Sequence, residues 1–222
     1  MITDVLSELV AGKDLPDARQ RLVAAAEEIF AEKGFDAASI REISTEAGVN
    51  LASIKYYFGD KEGLYLEAVK YAHVCSSEGG PMPEFPAGVE PVEKLKLFIR
   101  GMVARMHGPA RPSAMKLMMR EMAHPGKAAH VVVQEFIQPM AFRLRAILRE
   151  MLPHRPEPEI LMLGFSIIGQ VLFYRQNRPI SELIFDKPQV DALSEAMVAD
   201  HIVRFTLAAL GHAEPIRAEG TP

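Results

Sequence analysis

An all-α fold is predicted by three features of this 222-residue chain. Apolar residues recur at helical spacing along most of its length, no run alternates as a strand would, and capping residues precede many of those runs with glycine behind them. With 49% hydrophobic and 24% charged residues the chain has enough apolar material for a core, which excludes a disordered protein. The single cysteine, Cys75, excludes a disulfide framework and a Cys-rich zinc module. A net charge of −4 attracts no polyanion in bulk, so any nucleic-acid role requires a local patch. The first fifteen residues carry Asp4, Glu8 and Asp14 and lack the basic start of a secretory signal, so a cytoplasmic location is expected.

The elements follow in order. Asp17, with Gln20 three residues on, caps a helix whose stripe is Leu22, Ala25, Ala26, Ile29 and Phe30 and which stops at Gly34. Ser39 and Glu42 form a capping-box pair for a short helix with Ile40 and Ile43 inward, stopped by Gly48. Asn50 caps a third helix through Phe58, and Asp60 a fourth, reaching about Glu78. The Pro- and Gly-rich stretch Gly79–Pro91 is the best boundary in the chain. Further helices are expected at 91–106, 113–123, 127–152, 157–175 and 189–210, giving about nine and no sheet, with loops such as 176–188 between them. Pro139 lies inside the 127–152 pattern, where a kink or a junction of two helices is expected. Residues 1–16 and 211–222 read as flexible ends.

Ile160–Tyr174 is apolar nearly all round. Those fifteen residues cover about 22 Å as a helix, short of the roughly 30 Å of a bilayer core. They read as a buried helix needing cover on both faces, for which a second subunit is the economical source, and not as a membrane span.

The chemistry sits between Ser39 and Lys61. Two short capped helices joined by Ala47-Gly48-Val49-Asn50 make a helix-turn-helix. Ile43, Ala47, Val49, Ile54 and Phe58 are expected inside, which leaves Leu51, Ala52, Ser53, Lys55, Tyr56 and Tyr57 outside. Small, hydroxyl-bearing, cationic and phenolic groups of this kind suit a groove walled by phosphates. Lys61, in the first turn of the next helix, adds a cation to exposed backbone amides, a pairing that suits one phosphate.

Residues 17–75 resemble the DNA-binding domain of the TetR family of bacterial repressors. The likeness is carried by Ala25-Ala26-x-x-x-Phe30-x-x-x-Gly34-Phe35, Ser39-Ile-Arg-x-Ile43, Ala47-Gly-Val49 and Ile54-Lys-Tyr-Tyr-Phe-x-x-Lys61-Glu-x-Leu64. The run Asn50-Leu-Ala-Ser-Ile-Lys-Tyr-Tyr-Phe-Gly59 is most similar to the CecR-like subgroup, in which Asn replaces Ser at the cap. The resemblance implies that Ser39, Arg41, Asn50, Leu51, Ala52, Ser53, Lys55, Tyr56, Tyr57 and Lys61 form the DNA-binding surface. Arg41 would read a base, the tyrosines would touch phosphate, and Lys61 would hold one phosphate. Lys55 departs from the family's usual Tyr, leaving a phosphate or a guanine edge as its target. Residues 17–75 hold seven basic and ten acidic side chains, so charge must be sorted onto faces, with Glu27, Glu28, Glu32 and Asp36 behind the binding surface.

The division implied is a helix-turn-helix domain at 17–62 and a ligand-binding and dimerisation domain at 63–210. Six of the twelve methionines fall between 102 and 122. Phe98, Met102, Met106, Met115, Met118, Met119, Met122, Phe136, Met140 and Phe165 are candidates either for plain core or for an adaptable apolar pocket. A four-helix bundle between two copies, as the family generally builds, would use Gly164, Ile168, Leu172, Leu193, Met197, His201 and Phe205. His201 reads as an interface or core histidine and Cys75 as buried packing; no metal site, cofactor or catalytic group is expected. Gly164-Phe-Ser166-Ile-Ile-Gly169 lacks the spacing and the preceding strand of a nucleophile elbow. The expected function is a homodimeric repressor that binds a pseudo-palindromic double-stranded DNA operator and is released by a small amphipathic effector. The alternative is a ligand-independent regulator whose larger domain only dimerises or docks a protein.

Overall fold

The computed structural model describes residues 17–75, 84–107 and 111–215. In chain order the helices are α1 (Ala18–Ala37), α2 (Ile40–Glu46), α3 (Leu51–Phe58), α4 (Lys61–Cys75), α5 (Pro91–His107), α6 (Pro112–Ala123) and α7 (Lys127–Val132). A π-helical turn, Val133–Ile137, leads into α8 (Gln138–Met151), followed by α9 (Glu157–Gln176), α10 (Arg178–Phe185), α11 (Lys187–Asp191) and α12 (Glu195–Ala209). No strand occurs among the described residues. The flexible end expected at 1–16, all but the first five residues of that expected at 211–222, and the end of the fourth helix past Cys75 lie outside them.

The described residues form two compact units, one from 17–75 with 111–135, the other from 84–107 with 136–215. In the first, α1, α4, α6 and α7 pack together, and Leu22, Phe30, Ile43, Ile54, Leu64, Leu117 and Val132 are all buried. This partition differs from the division expected at residue 62, because α6 and α7 return to the N-terminal helices. Polar contacts account for the return. Arg111 pairs with Glu27 of α1, Tyr65 of α4 donates to Glu121, and Lys70 of α4 reaches Glu135 at 3.0 Å. Glu121 is itself buried and accepts from the Ala129 N–H at 3.1 Å, so it ties α4, α6 and α7 together. Burial and the Glu121 bond push the Tyr65 hydroxyl above its ordinary range. Glu27, expected behind the binding surface, is fully buried, and Arg111 is what makes that burial tolerable.

In the second unit α5, α8, α9 and α12 close around Leu95, Phe98, Val103, Leu144, Ile167, Ile202 and their neighbours. The π turn stands just ahead of Pro139. Its ring supplies no N–H and crowds the carbonyl four residues back, so the ladder widens there, where the sequence predicts a kink.

Two expectations are corrected. The stretch 176–188 is mostly helix, containing α10 and the start of α11, and the helix expected at 189–210 is broken, α12 starting anew behind the Ser194 cap. Loop-like Asn177-Arg-Pro179 and Asp186-Lys-Pro188 are helix starts, since Pro is tolerated in a first turn. Helix α9 runs to 20 residues, long and apolar enough to cross a membrane by that measure. Its sides differ, however. Ile160, Ile167 and Val171 enter the core, while Leu161, Met162, Phe165 and Phe173 are 43–72% exposed.

Candidate nucleic-acid interface

The helix-turn-helix is set by local side-chain to backbone bonds. Ser39 Oγ accepts from the Arg41 N–H at 3.2 Å and caps α2. The hydroxyls of Ser44 and Thr45 both donate to the Arg41 carbonyl at 2.9 Å, which fixes the backbone under that exposed guanidinium. At the turn Gly48 takes φ +61, a left-handed conformation that favours glycine, and Val49 N–H returns to the Ser44 carbonyl at 3.0 Å. Asn50 Oδ1 then accepts from the Ala52 N–H at 2.8 Å and starts α3.

Helix α3 buries one side chain, Ile54. Ile43 and Ala47 are buried beside it, and Val49 and Phe58 are half-buried, as the inward set requires. Leu51, Ala52, Lys55, Tyr56 and Tyr57 are exposed, Tyr56 at 83%, and Ser53 is half-buried. The rings of Tyr56 and Tyr57 meet edge to face with centroids 4.9 Å apart, so each limits the other's freedom.

The exit from α3 is held more tightly than its start. Asp60 Oδ1 accepts from the Gly63 N–H at 2.9 Å, and a Cβ at Gly63 would lie 2.1 Å from the Phe58 carbonyl oxygen. Only glycine lets α3 and α4 come this close. Lys61, expected on phosphate, is half-buried and turned toward the end of α1. Its Nζ donates to the Asp36 carbonyl at 3.3 Å and stands 4.6 Å from the Phe35 ring centroid. The ammonium therefore secures α1 to α4, and only its other N–H donors are left for a ligand.

The other candidate residues are not all brought together. Phe98 and Met102 are core in the second unit, Met106 and Met140 pack against that core, and Phe165 faces outward at 72% exposure. Phe136 also belongs to the second unit, whereas Met115, Met118, Met119 and Met122 lie on α6 in the first. A groove of about 310 Å³ in the second unit is lined by Leu152, Arg155, Glu159, Met162 and Leu210, none of which was among the pocket candidates. Of the interface candidates, Leu193, Met197, His201 and Phe205 are exposed, and Ile168 and Leu172 are half-buried. Gly164 is half-buried. A Cβ there would stand in ordinary van der Waals contact with Leu144 at 3.9 Å and Leu148 at 4.0 Å, both on α8 of its own chain. Sequence reasoning missed the Glu27–Arg111 pair and the apolar side of α10.

Comparison with known proteins agrees with this geometry. Residues 22–68 match the family model for bacterial regulatory proteins of the tetR family, and residues 91–210 match that for the C-terminal domain of the HTH-type transcriptional dual regulator CecR. The chain belongs to the TetR family. This TetR-family chain is 28% identical over 172 residues to the dual regulator CecR of Shigella flexneri, covering 71% of the chain and 75% of that relative. The repressor AcnR of Corynebacterium glutamicum is 36% identical over 76 residues, 32% of this chain and 40% of its own. A TetR-like transcriptional regulator from Rhodococcus sp. RHA1 shares the fold, with a TM-score of 0.56 at 16% identity, covering 89% of this chain and 99% of that one. The relatives are transcriptional regulators, and this chain is a transcriptional regulator of the same family.

Proposed function

We propose that this regulator is a homodimeric repressor that lays α3 of each copy into the major groove at the half-sites of a pseudo-palindromic operator. The observation that carries this is the division of α3, which buries Ile54 alone and turns Lys55, Tyr56 and Tyr57 outward. In this reading Lys55 and the phenols meet phosphates or base edges, Arg41 approaches from α2, and small Ala52 and Ser53 let the backbone come near. One short helix reads only a few base pairs, so useful affinity needs two copies. The exposed sides of α9 and α12, with Phe165, Phe173, Met197 and Phe205, support pairing through a four-helix bundle. CecR is named a dual regulator and AcnR a repressor. Repression is the simpler outcome for a protein occupying an operator.

Release by a small amphipathic effector follows as linkage: a ligand preferring a dimer with displaced α3 helices must favour it by several kcal/mol to empty the operator. The reading without a ligand gains from Phe98 and Met102, which fill the core instead of lining a cavity. Thermal melts against a compound panel separate the two, because a ligand selective for the native state raises the midpoint. For DNA, fluorescence anisotropy is measured with duplexes carrying inverted repeats from the gene's own upstream region. Saturable, salt-sensitive binding by a dimer is expected; a chain that treats those duplexes like random DNA overturns the proposal.

A further inference from the structure

Helix α10 buries none of its residues. Ile180, Leu183, Ile184 and Phe185 are 56, 83, 65 and 57% exposed, and among the described residues α10 packs mainly against α9 and α11. A helix that contributes nothing to the core still has to be held. Arg178 does this by pairing with Asp191 of α11, while Arg178–Glu182 at 3.0 Å and Lys187–Asp191 at 2.6 Å are pairs within α10 and α11.

The apolar side of α10 continues that of α9. The backbone ladder runs through Asn177, whose N–H donates to the Phe173 carbonyl at 3.0 Å and whose carbonyl accepts from the Ser181 N–H at 2.8 Å. Leu161, Phe165, Gly169 and Phe173 follow at spacings of four, and Ile180 and Ile184 come seven and eleven residues after Phe173, a spacing that keeps one side of a helix. All six are exposed. Gly169 has no atom within 4 Å of its Cβ position, so nothing in its own chain explains a glycine in mid-helix, where it costs about 1 kcal/mol against alanine.

We infer that α10 is an interface arm for a second copy of this chain, extending the contact beyond the α9 and α12 bundle. The inference rests on the dimer reading above. Its support is area and continuity. With roughly 150–250 Å² for an aromatic side chain and values near the lower end for Leu, Ile and Met, the exposed fractions of the apolar residues of α9 and α10 offer on the order of 800 Å². The largest apolar patch on a typical monomer is roughly 300–600 Å². Two copies covering such a strip mutually bury on the order of 1,600 Å², within the roughly 1,200–2,000 Å² of stable interfaces. A two-fold axis meets the self-complementarity requirement with one strip, because the same apolar surface faces itself.

The test is sedimentation velocity across a dilution series, comparing the full chain with its Leu183→Glu/Ile184→Glu variant. The expected result is a dimeric parent and a variant that self-associates at least about a hundredfold more weakly, with unchanged helical circular dichroism because α10 buries nothing. Exposed Gln189→Glu serves as the control and leaves association unchanged. Should the double variant lose helicity, Ile180→Ser is read in its place. A dimeric parent with an equally tight variant overturns the arm and leaves the dimer standing; a monomeric parent overturns both. Adsorption of the parent to phosphatidylcholine–phosphatidylglycerol vesicles, lost in a variant that still dimerises, overturns the arm in favour of a lipid surface.

Discussion

Helices α3 and α10 are both eight residues long, and both turn large side chains to solvent. They are held in opposite ways. Helix α3 has a side-chain cap at Asn50, an inward anchor at Ile54, and an exit where Gly63 abuts the Phe58 carbonyl. Helix α10 has no side-chain cap bond and no buried residue, and an ion pair at its base holds it. The exposed chemistry differs in step. Lys55 and two phenols need a fixed presentation to meet polar edges within hydrogen-bond distance, whereas Leu183 and its neighbours meet a partner through undirected apolar burial. Rigidity is concentrated where recognition is directional.

The sharpest way to break the contrast is to attack the frame beneath α3. Arg111→Met leaves the buried Glu27 carboxylate without its cation and should cost about 3 kcal/mol in urea unfolding, the lower part of the range for broken buried pairs because Arg111 is partly exposed. The double replacement Glu27→Met with Arg111→Met should recover most of that loss. Next, Gly63→Ala should cost about 2 kcal/mol or more, since its Cβ can be accommodated only by moving backbone, and operator affinity should fall further than stability alone explains. Tyr56→Ala or Lys55→Ala should weaken operator binding about tenfold with unchanged unfolding, and Lys55→Ala should reduce the slope of log K against log salt by about one if Lys55 lies on a phosphate. Asn50→Ala should remove about 1 kcal/mol as a lost cap, while Ser181→Ala in α10, where no such bond exists, should be neutral in the same melt.

The smallest effect is titration at the exposed surface. The bond from Arg145, aided by Arg149, holds the Glu157 carboxyl below its usual range. Its contribution is present above the ordinary carboxylate range and is lost as pH falls through its lowered value. Glu157→Gln should therefore lower stability slightly at neutral pH, flatten the acid limb, and leave stability below the lowered value nearly unchanged.

What was legible in the sequence was local. Asp17, Ser39 and Asn50 cap helices through bonds spanning two or three residues, and Gly48 and Gly59 take positive φ beside them, so a one-dimensional string carries those decisions. The inward set of the helix-turn-helix was legible for the same reason, because Ile43 and Ile54 stand at helical spacing beside polar neighbours. What escaped depended on distant partners. Nothing near Glu27 announces that Arg111, 84 residues later, will let it be buried. The return of α6 and α7 to the first unit rests on bonds such as Tyr65 to Glu121, which separation along the chain conceals. The two sides of α9 escaped as well, because a helix apolar nearly all round has no polar stripe to tell Ile160, Ile167 and Val171, which enter the core, from exposed Phe165 and Phe173. The stretch 176–188 was expected as a loop, but Pro179 and Pro188 sit in the first turns of α10 and α11, where proline is tolerated.

Asn177 closes α9 and opens α10 with a single residue. That economy leaves no slack: one inserted amino acid at the joint would rotate everything downstream by about 100° and swing the greasy edge of the second segment out of line with the first. The joint therefore works as a phase marker, and the number of residues across it is constrained more strictly than their identity.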